Sequence, residues 1–219
     1  MIYFVGVGPG DPELISIKAV HVLQNAGAIV LPDSGKNSAI LPIIEKWIGN
    51  KPVHRVAMPM KGTRAQWNEA HAEAVGTILN LLDEYDTIAY PVLGDPGIYA
   101  SSSYLMKLIS SQHPCRIIPG IPAMCAAAAA IGIPLCEQNE SLMITDSYSV
   151  EQVSDSNNTV FMKSGSSLSE LKANFSGNEA YVVRNLGMDG QWLGELENCP
   201  VDVYSYFTTV ITKTASSER

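Results

Sequence analysis

The sequence is short of charge, and of positive charge above all. Charged residues make up 16% of the 219, too few for a solvating or disordered segment, while apolar residues reach 46%, enough for a sizeable core. Fourteen Lys and Arg stand against 22 Asp and Glu, and the net charge of −8 leaves no basic footprint for nucleic-acid phosphates. Cysteine is scarce as well. Cys115, Cys125, Cys136 and Cys199 show no close pairing and form no Cys-x-x-Cys, which speaks for reduced thiols in a cytoplasmic protein and against a zinc site. His21, His54, His71 and His113 are isolated, with no His-Glu-x-x-His. A Gly-x-Ser-x-Gly elbow and a Gly-Lys-Ser/Thr phosphate loop are missing too. With neither nucleophile nor metal, the chemistry left is one in which substrate supplies the nucleophile and a bound cofactor the electrophile.

No signal peptide is expected, because residues 1–5 run straight into glycines and Asp11. Residues 117–136 carry no charge and are long enough to span a bilayer, but Pro119, Pro122, Pro134, Gly120 and Gly132 break them up. They read as a strand, a loop and a buried alanine helix, so no membrane partner is expected.

What is present alternates. Apolar strands are predicted at residues 1–6, 28–31, 53–57, 87–93 and 115–118. Between them lie amphipathic helices: one entered through Asp11 and Pro12 and carried by Ile15, Ala19, Val22, Leu23 and Ala26, one at 40–48, one at 66–84 and one at 104–109. That alternation predicts an open, largely parallel sheet with helices on both faces. Beyond Gly120 the texture changes to an alanine helix at 123–131, β-rich segments at 142–145, 159–162, 180–183 and 203–212, and a helical stretch near 168–173. A second, smaller α/β domain fits this pattern.

Three Gly/Pro loops follow predicted strands. Val5-Gly6-Val7-Gly8-Pro9-Gly10-Asp11-Pro12 opens a helix, the position where open α/β sheets bind ligands. Its spacing is not a dinucleotide fingerprint, since the third glycine would fall on Asp11, and an acidic side chain beside Pro9 blunts an anion site. A tight turn is the other reading. Leu93-Gly94-Asp95-Pro96-Gly97-Ile98-Tyr99 is equally an ordinary turn, and Ile118-Pro119-Gly120-Ile121-Pro122-Ala123 leads into a helix of a type often used for close packing. In a doubly wound sheet, however, loops after the first, fourth and fifth strands converge on one edge.

These three loops, in this order and spacing, resemble the signature loops of the tetrapyrrole (corrin/porphyrin) methylase family over nearly the whole chain. Within it the sequence is most similar to the precorrin-2 or cobalt-factor II C(20)-methyltransferases, through Met58-Pro59-Met60, Tyr99-Ala100-Ser101-Ser102-Ser103-Tyr104-Leu105, Gly132-Ile133-Pro134-Leu135 and Tyr206-Phe207-Thr208-Thr209-Val210. The resemblance implies two αβα domains, residues 1–119 and 120–219, the second with a mixed sheet, an S-adenosylmethionine site in the cleft between them, and a homodimer. By motif position the cofactor would meet Pro9, Leu93, Gly94, Asp95, Ile98, Tyr99, Pro122 and Ala123 of the three loops. Further along it would meet Met162 and Lys163 after a second-domain strand, and Leu186 in the next loop.

The implied reaction is C-methylation of a reduced tetrapyrrole at C-20. Asp33, at the end of the second strand, is a candidate base, although Asp33-Ser34-Gly35 is also a natural turn cap. Lys61, Arg64 and Arg184 are candidates for the substrate carboxylates, although a single Lys or Arg is usually solvated surface. The alternatives are a sister methylase acting on another ring carbon, a ribosomal-RNA ribose methylase of the same fold, expected to be more basic, and a non-enzymatic nucleotide-binding module, against which the glycine spacing speaks.

Overall fold

Ile2–Gly6 forms β1, a strand of large apolar side chains that is buried on both faces. In the computed structural model, residues 1–35, 38–59, 62–146, 158–175 and 179–213 are described. The chain divides into two units, Met1–Pro122 and Ala123–Arg219. In the first, β1 lies inside a parallel sheet with β2 (Ala28–Asp33), β3 (Val53–Ala57), β4 (Ile88–Val92) and β5 (Cys115–Ile118), in the order β3-β2-β4-β1-β5.

Helices cover both faces. On one, α1 (Ile17–Asn25) and α2 (Leu41–Ile48) bury Ala19, Leu23, Ile43 and Ile44 against Val5, Val7, Ile29 and Leu31. On the other, α3 (Arg64–Glu84) and α4 (Ser102–Ile109) bury Ala74, Ile78, Leu81, Leu105 and Ile109 against Ile2, Phe4, Val30, Ile88 and Tyr90. Period-2 alternation along the strands meets period-3.6 stripes on the helices, which is what a three-layer αβα unit needs. The α3 start carries a full capping box between Thr63 and Gln66.

The second unit is mixed. Its sheet runs β6-β7-β10-β8-β9, with β6 (Leu142–Thr145) parallel to β7 (Asn158–Phe161) and the other neighbours antiparallel. Strands β8 (Glu179–Arg184), β9 (Trp192–Glu195) and β10 (Thr208–Lys213) complete it, and α6 (Leu168–Asn174) packs Leu168 and Leu171 on Phe161, Val182 and Val210. The alanine helix α5 (Ala123–Ile131) buries Met124, Ala126, Ala127 and Ala128. Among the described residues no helix is long and apolar enough to cross a membrane. Glu140 clasps the connection after α5, taking N–H groups from its own turn at Glu137 (2.9 Å), from Asn158 (2.7 Å) and from Lys213 (3.2 Å). Those donors, the Glu137 backbone first, hold its carboxyl below the ordinary range.

Three local expectations need correction. Asp11 does not cap the long helix. It caps a separate 3-10 turn, Pro12–Leu14, the chain is extended at Ile15, and Ser16 caps α1 through the N–H of Ala19 at 3.2 Å. Two good cap residues five positions apart divide what the apolar spacing joins. The last strand begins at Thr208 rather than 203, because Ser205 accepts the Phe207 N–H at 3.1 Å and the Thr208 hydroxyl at 2.8 Å, a turn that competes with ladder pairing. Strand β9 was not expected. Among the described residues it is an edge strand beside β8, with Gly194 inside the strand and Leu193 exposed, so its sequence lacks the apolar alternation that marks a strand.

Candidate functional site

In the first unit the chain leaves β1 toward α1 on one face of the sheet and leaves the neighbouring β4 toward α4 on the other. Adjacent strands whose connections depart to opposite faces make a switch point, the place where open α/β sheets open a crevice at their carboxyl ends. All three glycine/proline loops lie at this edge, because β1 has β4 on one side and β5 on the other.

Contact between the loops is backbone on backbone. A lone antiparallel bridge pairs Gly8 with Gly94, whose N–H donates to the Gly8 carbonyl at 2.7 Å. Gly6, Gly94 and Gly120 nest so closely that a Cβ on Gly6 would lie 2.5 Å from the Gly120 nitrogen and 2.8 Å from the Gly94 oxygen. Gly8 and Gly94 also occupy the left-handed region, at φ 83 and 74. Asp95 joins this nest by its side chain. Oδ1 accepts the N–H of Gly97 at 2.7 Å, and Oδ2 accepts the N–H of Gly120 at 2.8 Å.

Of the residues expected at the cofactor, Pro9 is buried beside this nest, Leu93 and Ile98 are half-buried, and Pro122 is half-buried just beyond Gly120. Tyr99 is 42% exposed and holds φ 45, a conformation that side-chain-bearing residues rarely take. Asp33 ends β2, the strand on the other side of β4, and so belongs to the same carboxyl edge. Its Oδ1 accepts the Gly35 N–H at 2.8 Å, the turn-capping arrangement, and its Oδ2 stands 4.0 Å from Arg55. Arg64 is exposed at the first turn of α3. Lys61 lies outside the described residues.

The second unit gathers its own group of expected residues. Met162 is buried at the end of β7, and Lys163 follows it in the left-handed region at φ 59, its ammonium 5.7 Å from the centre of the Tyr206 ring. Asn185, at φ 51 after β8, donates its N–H to the Phe207 carbonyl at 2.8 Å and meets the Ser205 hydroxyl at 2.5 Å. Leu186 is half-buried in the turn that Asn185 closes with Met188. Ala123 opens α5. Lys163 and Asn185, each just past a strand end, thus meet the segment 205–207, a tie that sequence spacing alone does not signal.

Arg184 is a correction. Expected to meet substrate carboxylates, it is 3% exposed, with its guanidinium donating to the Pro200 carbonyl at 2.7 Å and contacting the Cys199 sulfur at 3.4 Å. A guanidinium enclosed on backbone oxygen does not reach a dissolved anion. Burial in turn pushes the Cys199 thiol up, while Arg184 and Lys172 pull it partly back.

Comparison with known proteins bears on this arrangement. A family model described as Tetrapyrrole (Corrin/Porphyrin) Methylases matches residues 1–197. A "Probable cobalt-precorrin-2 C(20)-methyltransferase" of Methanocaldococcus jannaschii is 30% identical over 186 residues, which are 83% of this chain and 80% of that one. A "Precorrin-2 C(20)-methyltransferase" of Sinorhizobium sp is 28% identical over 189 residues, 77% of this chain and 75% of its own. Among solved structures, uroporphyrin-III C-methyl transferase from Thermus thermophilus, complexed with S-adenyl homocysteine, superposes with a TM-score of 0.69. It is 16% identical, and 97% of each chain is covered.

Proposed function

The chain belongs to the tetrapyrrole (corrin/porphyrin) methylases, and from that membership we propose that it methylates C-20 of precorrin-2 or its cobalt complex, using S-adenosylmethionine. The single structural observation behind this reading is the loop nest at the β1/β4 switch point and its donor set. Asp11 spends its carboxylate on the Glu13 N–H at 2.8 Å, and Pro9 and Pro12 have no N–H, so the turn after β1 offers a phosphate little. Glycine backbone that closes tightly and offers a phosphate little suits a nucleoside that carries none. The residues present fit that cofactor.

S-adenosylmethionine, when bound, supplies a methyl carbon that leaves its sulfur as the other electron pair arrives. The protein's part is placement. The backbone of Gly94 and the residues Pro9, Leu93, Ile98 and Pro122 are assigned to hold the cofactor in register with the substrate. Methylation at C-20 would release the C-20 proton, which a base of the protein would have to take. Asp33 is our candidate, since it stands at the same sheet edge and keeps a half-exposed carboxylate. Lys61 and Arg64 are assigned to the substrate carboxylates, and Met162, Lys163 and Leu186 to the cofactor from the second unit. We read the protein as a cytoplasmic homodimer; its four free cysteines suit a reducing compartment.

Calorimetry checks the cofactor class. S-adenosylhomocysteine should bind in the micromolar range without added metal, and ATP and NAD should give no heat under the same conditions. Tight ATP or NAD binding with no response to S-adenosylhomocysteine would make this a nucleotide-binding module instead.

A further inference from the structure

We propose that Asp95 is a positioning residue: its carboxylate fixes the loop after β5 to the loop after β4 and thereby sets the backbone that meets the cofactor. The inference rests on the methylase reading above. A plain Asx turn needs one oxygen on the N–H two residues ahead, and Oδ1 with Gly97 satisfies that at 2.7 Å. The second oxygen does something a turn does not require. It reaches 25 residues along the chain to the N–H of Gly120 at 2.8 Å.

The place of that bond in the sheet explains its value. Strand β5 is four residues long and, among the described residues, stands at the edge of the sheet beside β1. Its ladder with β1 ends at Ile118, opposite Val5, so the chain beyond lies outside that ladder. The Asp95 carboxylate is the acceptor for Gly120 there, and a hydrogen bond to an ionised group is about twice as strong as a neutral one. Gly120 is in turn wedged against Gly6 and Gly94, so fixing its nitrogen fixes the spacing of all three loops. Leu93 and Gly94 precede Asp95, and Pro122 follows Gly120 by two residues. The carboxylate thus spans two of the loops assigned to the cofactor without needing to touch it.

Two substitutions separate the roles. Asp95→Asn keeps the volume but offers one acceptor oxygen, so one of the two N–H groups faces an amide NH2. Asp95→Ser can still cap Gly97 but is too short for Gly120. For both, calorimetry should show the Kd for S-adenosylhomocysteine rising roughly 10-fold, with one site per chain retained. In ligand-free Asp95→Ser, NMR should show the Gly120 amide exchanging at least about 10-fold faster, with the Ile78 amide unchanged. Wild-type affinity in Asp95→Ser would reduce Asp95 to a turn residue and overturn the proposal. Weakened binding with Gly120 exchange unchanged would mean that Asp95 meets the cofactor directly, which also overturns it. So would a fall in the number of sites at constant Kd, the mark of damaged folding. If the wild-type protein binds no S-adenosylhomocysteine, the methylase reading fails and the positioning role with it, while Gly120 exchange still reports whether the clamp exists.

Discussion

Gly120→Ala should abolish detectable binding of S-adenosylhomocysteine, a loss of at least about 100-fold, and should lower thermal stability as well. A Cβ at this position would stand 2.8 Å from the Gly6 carbonyl carbon and nearer still to the Gly94 oxygen. Real Cβ atoms do not approach that closely, and the obstructing atoms are backbone, which cannot swing aside as a side chain can. The loops after β1, β4 and β5 would have to part, and the Asp95–Gly120 hydrogen bond would go with them. Gly76→Ala is the matched control. Gly76 lies inside α3 with open space around its Cα, so alanine there should leave binding unchanged and stabilise by about 0.5–1 kcal/mol. Wild-type binding in Gly120→Ala would mean that the nest has slack the geometry does not allow.

Phe4→Ala should be the most damaging single change to the first unit's core. Phe4 is 1% exposed on β1, inside the sheet, with its ring centre 5.5 Å from that of Tyr90 at a 54° tilt. It belongs to the buried cluster that also holds Ile2, Val30, Ile78 and Leu105, residues of both sheet and helices, so truncation leaves a space inside the layers. Large-to-small changes of this kind cost about 3–5 kcal/mol. In a chain of this size that corresponds to a fall in melting temperature of roughly 10 °C, measurable by calorimetry. A shift of only about 2 °C would show that the layer repacks.

The first unit's layers were legible in the sequence because strand runs and helical stripes keep their own periods, and because glycine and proline mark each strand's end. Convergence of the three loops follows from topology once the strands are placed. What periodicity does not carry is long-range and polar. Nothing local in Gly94-Asp95-Pro96 says that the second carboxylate oxygen reaches Gly120. Arg184 was a candidate for the substrate carboxylates, yet the turn at 196–200 brings the Pro200 carbonyl to its guanidinium and closes it in. Likewise Ser205 reads as an ordinary residue of a β-rich run until Asn185 and Phe207 are placed beside it. Buried charges settle on whatever acceptors the tertiary fold brings, and those lie far apart in sequence.

The central claim, methyl transfer to one particular carbon, is tested most directly by isotope. Purified protein, S-adenosylmethionine carrying a carbon-13 methyl, and precorrin-2 or its cobalt complex should give a singly methylated product. The label should appear at C-20 by carbon NMR, and uroporphyrinogen III should remain unmethylated in the same mixture. Label on a pyrrole-ring carbon would contradict the C-20 assignment and make this a sister methylase. No transfer to any tetrapyrrole, with S-adenosylhomocysteine still bound, would contradict the substrate class itself.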